Sequence, residues 1–173
     1  MPVRRVFSAV GTLAAAMVMM SCEPAGTLVG GGRADDYRVA RQALETGNYE
    51  LAITRYERLL SRAGPAAGRL ELEYAHSLLR AGALDEAIAV SDGLLERQTG
   101  SVRASARAVR GTARHQLARG MIASGDSGDE VRRLLESAQA DLSDFLETHP
   151  GLDAAGAMAK RSRLIADDLR TIG

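Results

Sequence analysis

This chain of 173 residues contains a single cysteine, Cys22. A lone thiol builds neither a disulfide framework nor a cysteine-based metal cluster. An excess of either charge is also missing. The 22 basic residues face 22 acidic ones, so nothing in the balance points to nucleic acid or a polybasic membrane patch as partner. Lysine is nearly absent, with Lys160 the sole example among arginines, which reads as genome composition more than function. The one strongly apolar segment, Val6 to Met20, runs for fifteen residues and falls short of the roughly 20 needed to cross a bilayer. From Asp35 onward no run of alternating β-branched residues occurs, which argues against a sheet.

Catalytic and metal-binding patterns are missing too. There is no HExxH, CxxC or Cys/His cluster, and His76, His115 and His149 fall on separate predicted elements. Glu71 and Glu73 project from nearly opposite sides of a helix, the wrong arrangement for a paired acid and base. Asp167 and Asp168 read as a solvated face. Gly30-Gly31-Gly32 follows no strand and precedes no GK[ST], so it is not a phosphate loop. No serine sits in a nucleophile elbow. The expectation is a protein without catalysis, cofactor, metal or small-molecule substrate.

What is present begins at the amino terminus. Arg4 and Arg5 precede the apolar segment, and Val18-Met19-Met20-Ser21-Cys22 closes it. This is the layout of a secretory leader. The segment resembles a bacterial lipobox, with Met19 and Met20 in place of the usual leucine and small residue. The resemblance implies a signal peptide over residues 1–21 and lipid attachment at Cys22. Secretion after cleavage near Ala14-Ala15-Ala16 and an uncleaved anchor are the competing readings. Glu23 stands where an aspartate would signal inner-membrane retention in enteric lipoproteins, so a lipid-anchored place in the cell envelope, at an outer membrane facing the periplasm, is expected. Residues 22–33 end in Gly30-Gly31-Gly32 and lack periodicity, which predicts a flexible tether.

Residues 34–173 read as helical throughout. Gly47-Asn48-Tyr49-Glu50-Leu51-Ala52-Ile53, followed by Leu59-Leu60, matches Gly82-Ala83-Leu84-Asp85-Glu86-Ala87-Ile88, followed by Leu94-Leu95, at an offset of 35 residues. Gly47 and Gly82 are able to end a helix in the left-handed conformation. Tyr49 and Leu84 would plug the turns that follow. Ala40, Ala52, Ala75 and Ala87 are small where paired helices must approach closely. New helices are expected from Pro65 and Ser101. A long helix follows on Val102, Ala106, Val109, Ala113, Leu117 and Met121. Ser127-Gly128-Asp129-Glu130 reads as a capping box for the next helix, which ends at Pro150. A last helix is expected from about Leu152, with Leu152, Ala155, Ala159, Ile165, Leu169 and Ile172 near one face and Arg161, Arg163, Asp167, Asp168 and Arg170 left for solvent.

The offset and its glycine, alanine and leucine positions resemble the tetratricopeptide repeat (TPR) family, whose period is about 34 residues. The resemblance implies an all-α fold, a short TPR-like α-solenoid of about three helix pairs plus a C-terminal capping helix. In that family the first helix of each pair lines a concave protein-binding groove. Carrying those positions over by the Gly47 and Gly82 registers gives Tyr37, Arg41, Leu44 and Glu45, then Leu72, His76, Leu79 and Arg80. Leucines at this spacing equally suit a core. The paired basic residues and asparagine with which some TPRs hold chaperone tails are not matched, so such a tail is not the expected ligand. The implied function is a membrane-tethered adaptor for protein partners in an envelope assembly, similar in plan to the TPR lipoproteins of pilus and secretin biogenesis. A scaffold for outer-membrane barrel assembly or cell-wall enzymes, or a small hydrolase subunit, are the alternatives.

Overall fold

The computed structural model describes residues 31–64 and 67–173. The expectations for the leader, Cys22 and Pro65 lie outside those residues. Among the described residues seven α-helices follow one another: α1 (Gly31–Glu45), α2 (Tyr49–Leu60), α3 (Ala67–Ala81), α4 (Leu84–Arg97), α5 (Gly100–Ala123), α6 (Asp129–Thr148) and α7 (Ala157–Ile172). A 3-10 turn, Pro150–Asp153, precedes α7. No strand occurs among the described residues. Each helix packs on the next, and α3 and α7 both also touch α5.

The two matched turns have the same chemistry. Gly47 and Gly82 have φ of +84° and +83°, a region in which a Cβ is strained. That conformation returns the chain so that Asn48 N–H donates to the Ala43 carbonyl at 2.8 Å and Ala83 N–H to the Leu78 carbonyl at 3.0 Å. Carbonyls left over at each helix end are thereby satisfied. Asn48 then starts α2, its side-chain oxygen accepting from Leu51 N–H at 3.3 Å. Ala40, Ala52, Ala75 and Ala87 are all fully buried, as the close helix contacts require.

The core runs along the chain as successive clusters. Ala40, Ala43, Ala52, Tyr56 and Leu59 form the first, against Leu70 and Tyr74 of α3. Ala75, Leu78, Leu79, Ala87, Val109 and Ala113 join α3, α4 and α5. Ala118, Val131, Leu135, Ala138, Leu142 and Ile165 join α5, α6 and α7. Helix α5 is the shared member, and it buries Ala104, Ala106, Val109, Gly111, Thr112, Ala113, His115 and Ala118, residues spread over about two thirds of its circumference. Its many small side chains allow this. A Cβ on Gly111 would stand 3.1 Å from both Asp141 Cβ and Leu142 Cδ2, so α6 lies directly against the α5 backbone there.

Several expected boundaries shift. Helix α1 already includes Gly31, Gly32 and Arg33, assigned above to the tether, because a helix tolerates glycine best in its first turn, where amide groups lack intrahelical partners anyway. The capping box at Ser127 does not form. Gly128 is the cap residue, without a side-chain bond, and Asp126 takes the Gly128 N–H at 2.9 Å, while Glu130 pairs instead with Arg133. The last helix does not start at Leu152. The 3-10 turn and a left-handed Gly156 (φ +67°) come first, leaving Leu152 and Ala155 exposed.

Candidate functional site

Helices α1, α3, α5 and α7 share one open groove of about 920 Å³. Helix α5 lies between α3 and α7 in contact with both, so the groove extends from α3 across α5 to α7. Helix α3 supplies Arg69, Leu72, Glu73, His76, Leu79 and Arg80, and α1 supplies Arg41. From α5 come Ser101, Ser105, Ala108, Thr112 and Gln116, a face of small and polar residues repeating every three or four positions. Phe145, Leu152, Asp153, Met158 and Arg161 complete the other side.

Five of the eight groove residues expected from the repeat register therefore meet: Arg41, Leu72, His76, Leu79 and Arg80. Leu79 is at once groove and core, being buried against α4 and α5. The other three do not line the groove. Tyr37 and Leu44 pack on the first core cluster, and Glu45 is exposed and holds Arg41 at 2.9 Å. The α5 face and the α7 residues were missed. The α5 signal was legible as Ser101, Ser105, Ala108, Thr112 and Gln116 at helical spacing, beside the apolar stripe, of which Val102 and Val109 also reach the groove.

At the α3 side, the charges are mutually engaged. Glu73 is buried and accepts from Tyr56 OH at 2.6 Å and Tyr37 OH at 3.0 Å, with Arg41 and Arg69 each at 3.4 Å. Burial and the bond to Glu73 hold the Tyr56 hydroxyl far above its ordinary range, so it stays a donor. Bonding to Glu45 and the charge of Glu73 raise Arg41 further. Arg80 lies over the Tyr49 ring, 5.3 Å from its centre, and donates to its hydroxyl at 2.7 Å. Such a contact fixes the arginine with little net charge compensation.

At the α7 side the arrangement differs. Asp153 accepts from the N–H of Met158 at 3.0 Å and of Ala159 at 2.9 Å. Burial alone would push its carboxyl up, but these donors and the Ala157 N–H prevail and hold it low. His115 of α5 is buried, its Nε2 2.9 Å from Asp168 and its Nδ1 3.3 Å from an Arg161 nitrogen. An arginine only donates, so Nδ1 accepts and the proton sits on Nε2, toward Asp168. Arg161 and Asp168, expected in solvent, thus turn inward. They lie on the same helical face as Met158 and Ile165, and His115 supplies the polar partner that makes this tolerable. The Arg161 Nε is buried without a partner among the described residues, and within them no ion pair joins this guanidinium to a carboxylate.

Desolvation lowers the pKa of His115 below the ordinary 6.5, helped by Arg161 and Arg119 and opposed by Asp168. Desolvation, with Arg80 adding to it and Glu73 opposing, lowers His76 as well, and since His76 is exposed its share of the effect is the smaller. Both rings therefore stay neutral in the folded chain at a pH where the unfolded chain has taken up protons. Stability is complete above about pH 6.5 and declines as pH falls below it toward the folded pKa values. Thermal melts should show a lower midpoint at about pH 5.5 than at pH 7.5, above the carboxylate range. His115→Gln should reduce that difference, and an unchanged difference in both His115→Gln and His76→Gln would refute the assignment.

Among the described residues no group of three or more His, Cys, Asp or Glu side chains is placed to hold a metal ion. No described helix is long and apolar enough to cross a membrane. No protein-family model matches the chain, and no curated protein matches it.

Proposed function

We propose that this chain is a short TPR-like solenoid, tethered to a bacterial envelope membrane through Cys22, that acts as a non-enzymatic adaptor. Its groove takes a segment of a protein partner belonging to an envelope assembly such as a pilus or secretin system. The observation that carries the reading is the groove itself. It is lined mainly by the first helices of successive pairs, α1, α3 and α5, and offers an apolar strip of Leu72, Val109 and Met158 flanked by charge. That mixture suits a peptide in extended or helical form. The repeated turn at Gly47 and Gly82 supports the repeat assignment. A lipid anchor confines such a groove to one surface and raises its effective concentration toward partners held there.

The test uses the full chain in its own envelope. A photo-crosslinking residue at Ser105, in the groove, should yield a discrete protein adduct, whereas one at Arg58, exposed on α2, should not. No adduct at Ser105, or the same adduct at both, would rule out the groove as the partner's seat. Palmitate labelling should be lost in Cys22→Ser. Equal labelling in the two forms would end the tether reading.

A further inference from the structure

We infer that the α7 side of the groove is a carboxylate-receiving site, and that the partner segment it fits is acidic, pairing an aspartate or glutamate side chain with Arg161. The inference rests on the adaptor reading and adds the partner's chemistry. It follows from the state of each charge along the groove. Both carboxylates are already engaged: Glu73 holds two tyrosines and two arginines, and Asp153 takes backbone N–H groups at both oxygens. A basic segment would find no free anion. Among the guanidiniums, Arg41 and Arg69 rest on Glu73 and Arg80 on Tyr49.

Among the described residues neither Arg80 nor Arg161 has an anion, but Arg80 is exposed to water and bonded to the Tyr49 hydroxyl, whereas Arg161 is half-buried. One of its nitrogens touches a neutral imidazole at 3.3 Å, and its Nε has no partner among the described residues. A half-buried guanidinium without an anion bears a desolvation cost that its own protein does not offset. Burial in fact lowers the Arg161 pKa, with no acidic neighbour acting the other way. A carboxylate is the group whose two oxygens match the planar donor fork. Beside it, exposed Leu152 and part-buried Met158 line the same stretch, so an apolar side chain next to the acid has a seat. His115 is fixed between Arg161 and Asp168 and acts as a positioning residue, keeping the guanidinium at the groove.

The experiment is a fluorescence-anisotropy titration of the full chain, purified from membranes in detergent. The probes are three short peptides, acetylated and amidated at their ends so that side chains alone carry charge. Leucine is interspersed in one fixed pattern with glutamate, glutamine or lysine. The glutamate peptide should bind about tenfold tighter than the glutamine one, the equivalent of one charge-assisted contact. Arg161→Gln should erase that preference, Arg161→Lys should keep part of it, and Arg161→Glu should shift preference to the lysine peptide. Equal binding of the glutamate and glutamine peptides, or an intact preference in Arg161→Gln, overturns the inference. Should Arg161→Gln fail to fold, by helicity and melting, rising salt on the unaltered chain decides instead. The glutamate advantage must shrink as charges are screened, and a salt-independent advantage counts against it. Acid preference that emerges only in Glu23→Gln would assign the site to this chain's own amino-terminal segment and overturn the partner assignment. A Ser105 adduct undiminished in Arg161→Glu overturns the acidic partner while leaving the adaptor intact. Absence of any Ser105 adduct in the chain with Arg161 intact overturns the adaptor itself.

Discussion

Replacing Glu73 with alanine is expected to destabilise the chain by about 3 kcal/mol, read from the shift of a urea denaturation curve. Glu73 ties three helices together. Tyr37 and Arg41 reach it from α1 and Tyr56 from α2, while Arg69 lies one turn away on α3 itself. Tyr56 is fully buried, so its hydroxyl would lose its acceptor where water does not replace it. The two arginines would lose their shared counter-charge, although their exposure softens that part of the cost. Glu73→Gln should cost less, because an amide oxygen still accepts from Tyr56. Pairing Glu73→Leu with Tyr56→Phe should recover much of the loss by removing both unmatched polar groups. A shift under about 0.5 kcal/mol for Glu73→Ala would show that the network is incidental.

Asp141→Ala should cost a similar amount, about 3 kcal/mol, and the damage should concentrate at the junction of α5 with α6. Asp141 is buried between two arginines of α5. Arg110 Nε donates to it at 2.8 Å, a second Arg110 nitrogen also bonds it, and Arg114 reaches it at 3.0 Å. Asp92 of α4 neutralises Arg110 from the far side, so one carboxylate would remain for two guanidiniums. Desolvation works against the Arg110 charge, but the bonds to Asp141 and Asp92 outweigh it and raise its pKa. Taking away Asp141 therefore leaves a charge whose burial is no longer offset. The site sits beside the close approach at Gly111, so relaxation there would loosen the α5–α6 packing directly. Amide hydrogen exchange should report faster opening of α6 and α7, with α1 and α2 little changed. Uniform acceleration across the chain would contradict a localised junction.

The first two helix pairs were the most legible elements, and the reason is local. A glycine that ends one helix, the residue that plugs the turn and the alanine that meets the partner helix all lie within about ten positions. Spacing alone arranges them. Helix α5 was harder, because a stripe of Val102, Ala106 and Val109 describes one contact surface while the helix touches α3, α4, α6 and α7. The last helix shows the same difficulty from the polar side. Arg161 and Asp168 read as solvent-facing because charge is normally exposed, and the partner that turned them inward, His115, is 46 and 53 residues away respectively.

The sequence by itself determined that residues 34–173 are helical and where the turns at Gly47 and Gly82 fall. It also determined which alanines meet across the first two pairs, since those outcomes depend on neighbours within a few turns of helix. The tertiary structure decided which faces border the groove. Tyr37 and Leu44 were drawn into the α1–α2 core, and Arg161 was left facing the groove without an anion. Those outcomes depend on the placing of one helix pair against the next, and on contacts such as Tyr37 to Glu73, 36 positions apart. No local spacing encodes such a contact, because both its existence and its geometry wait on the packing of helices that are not neighbours in the chain.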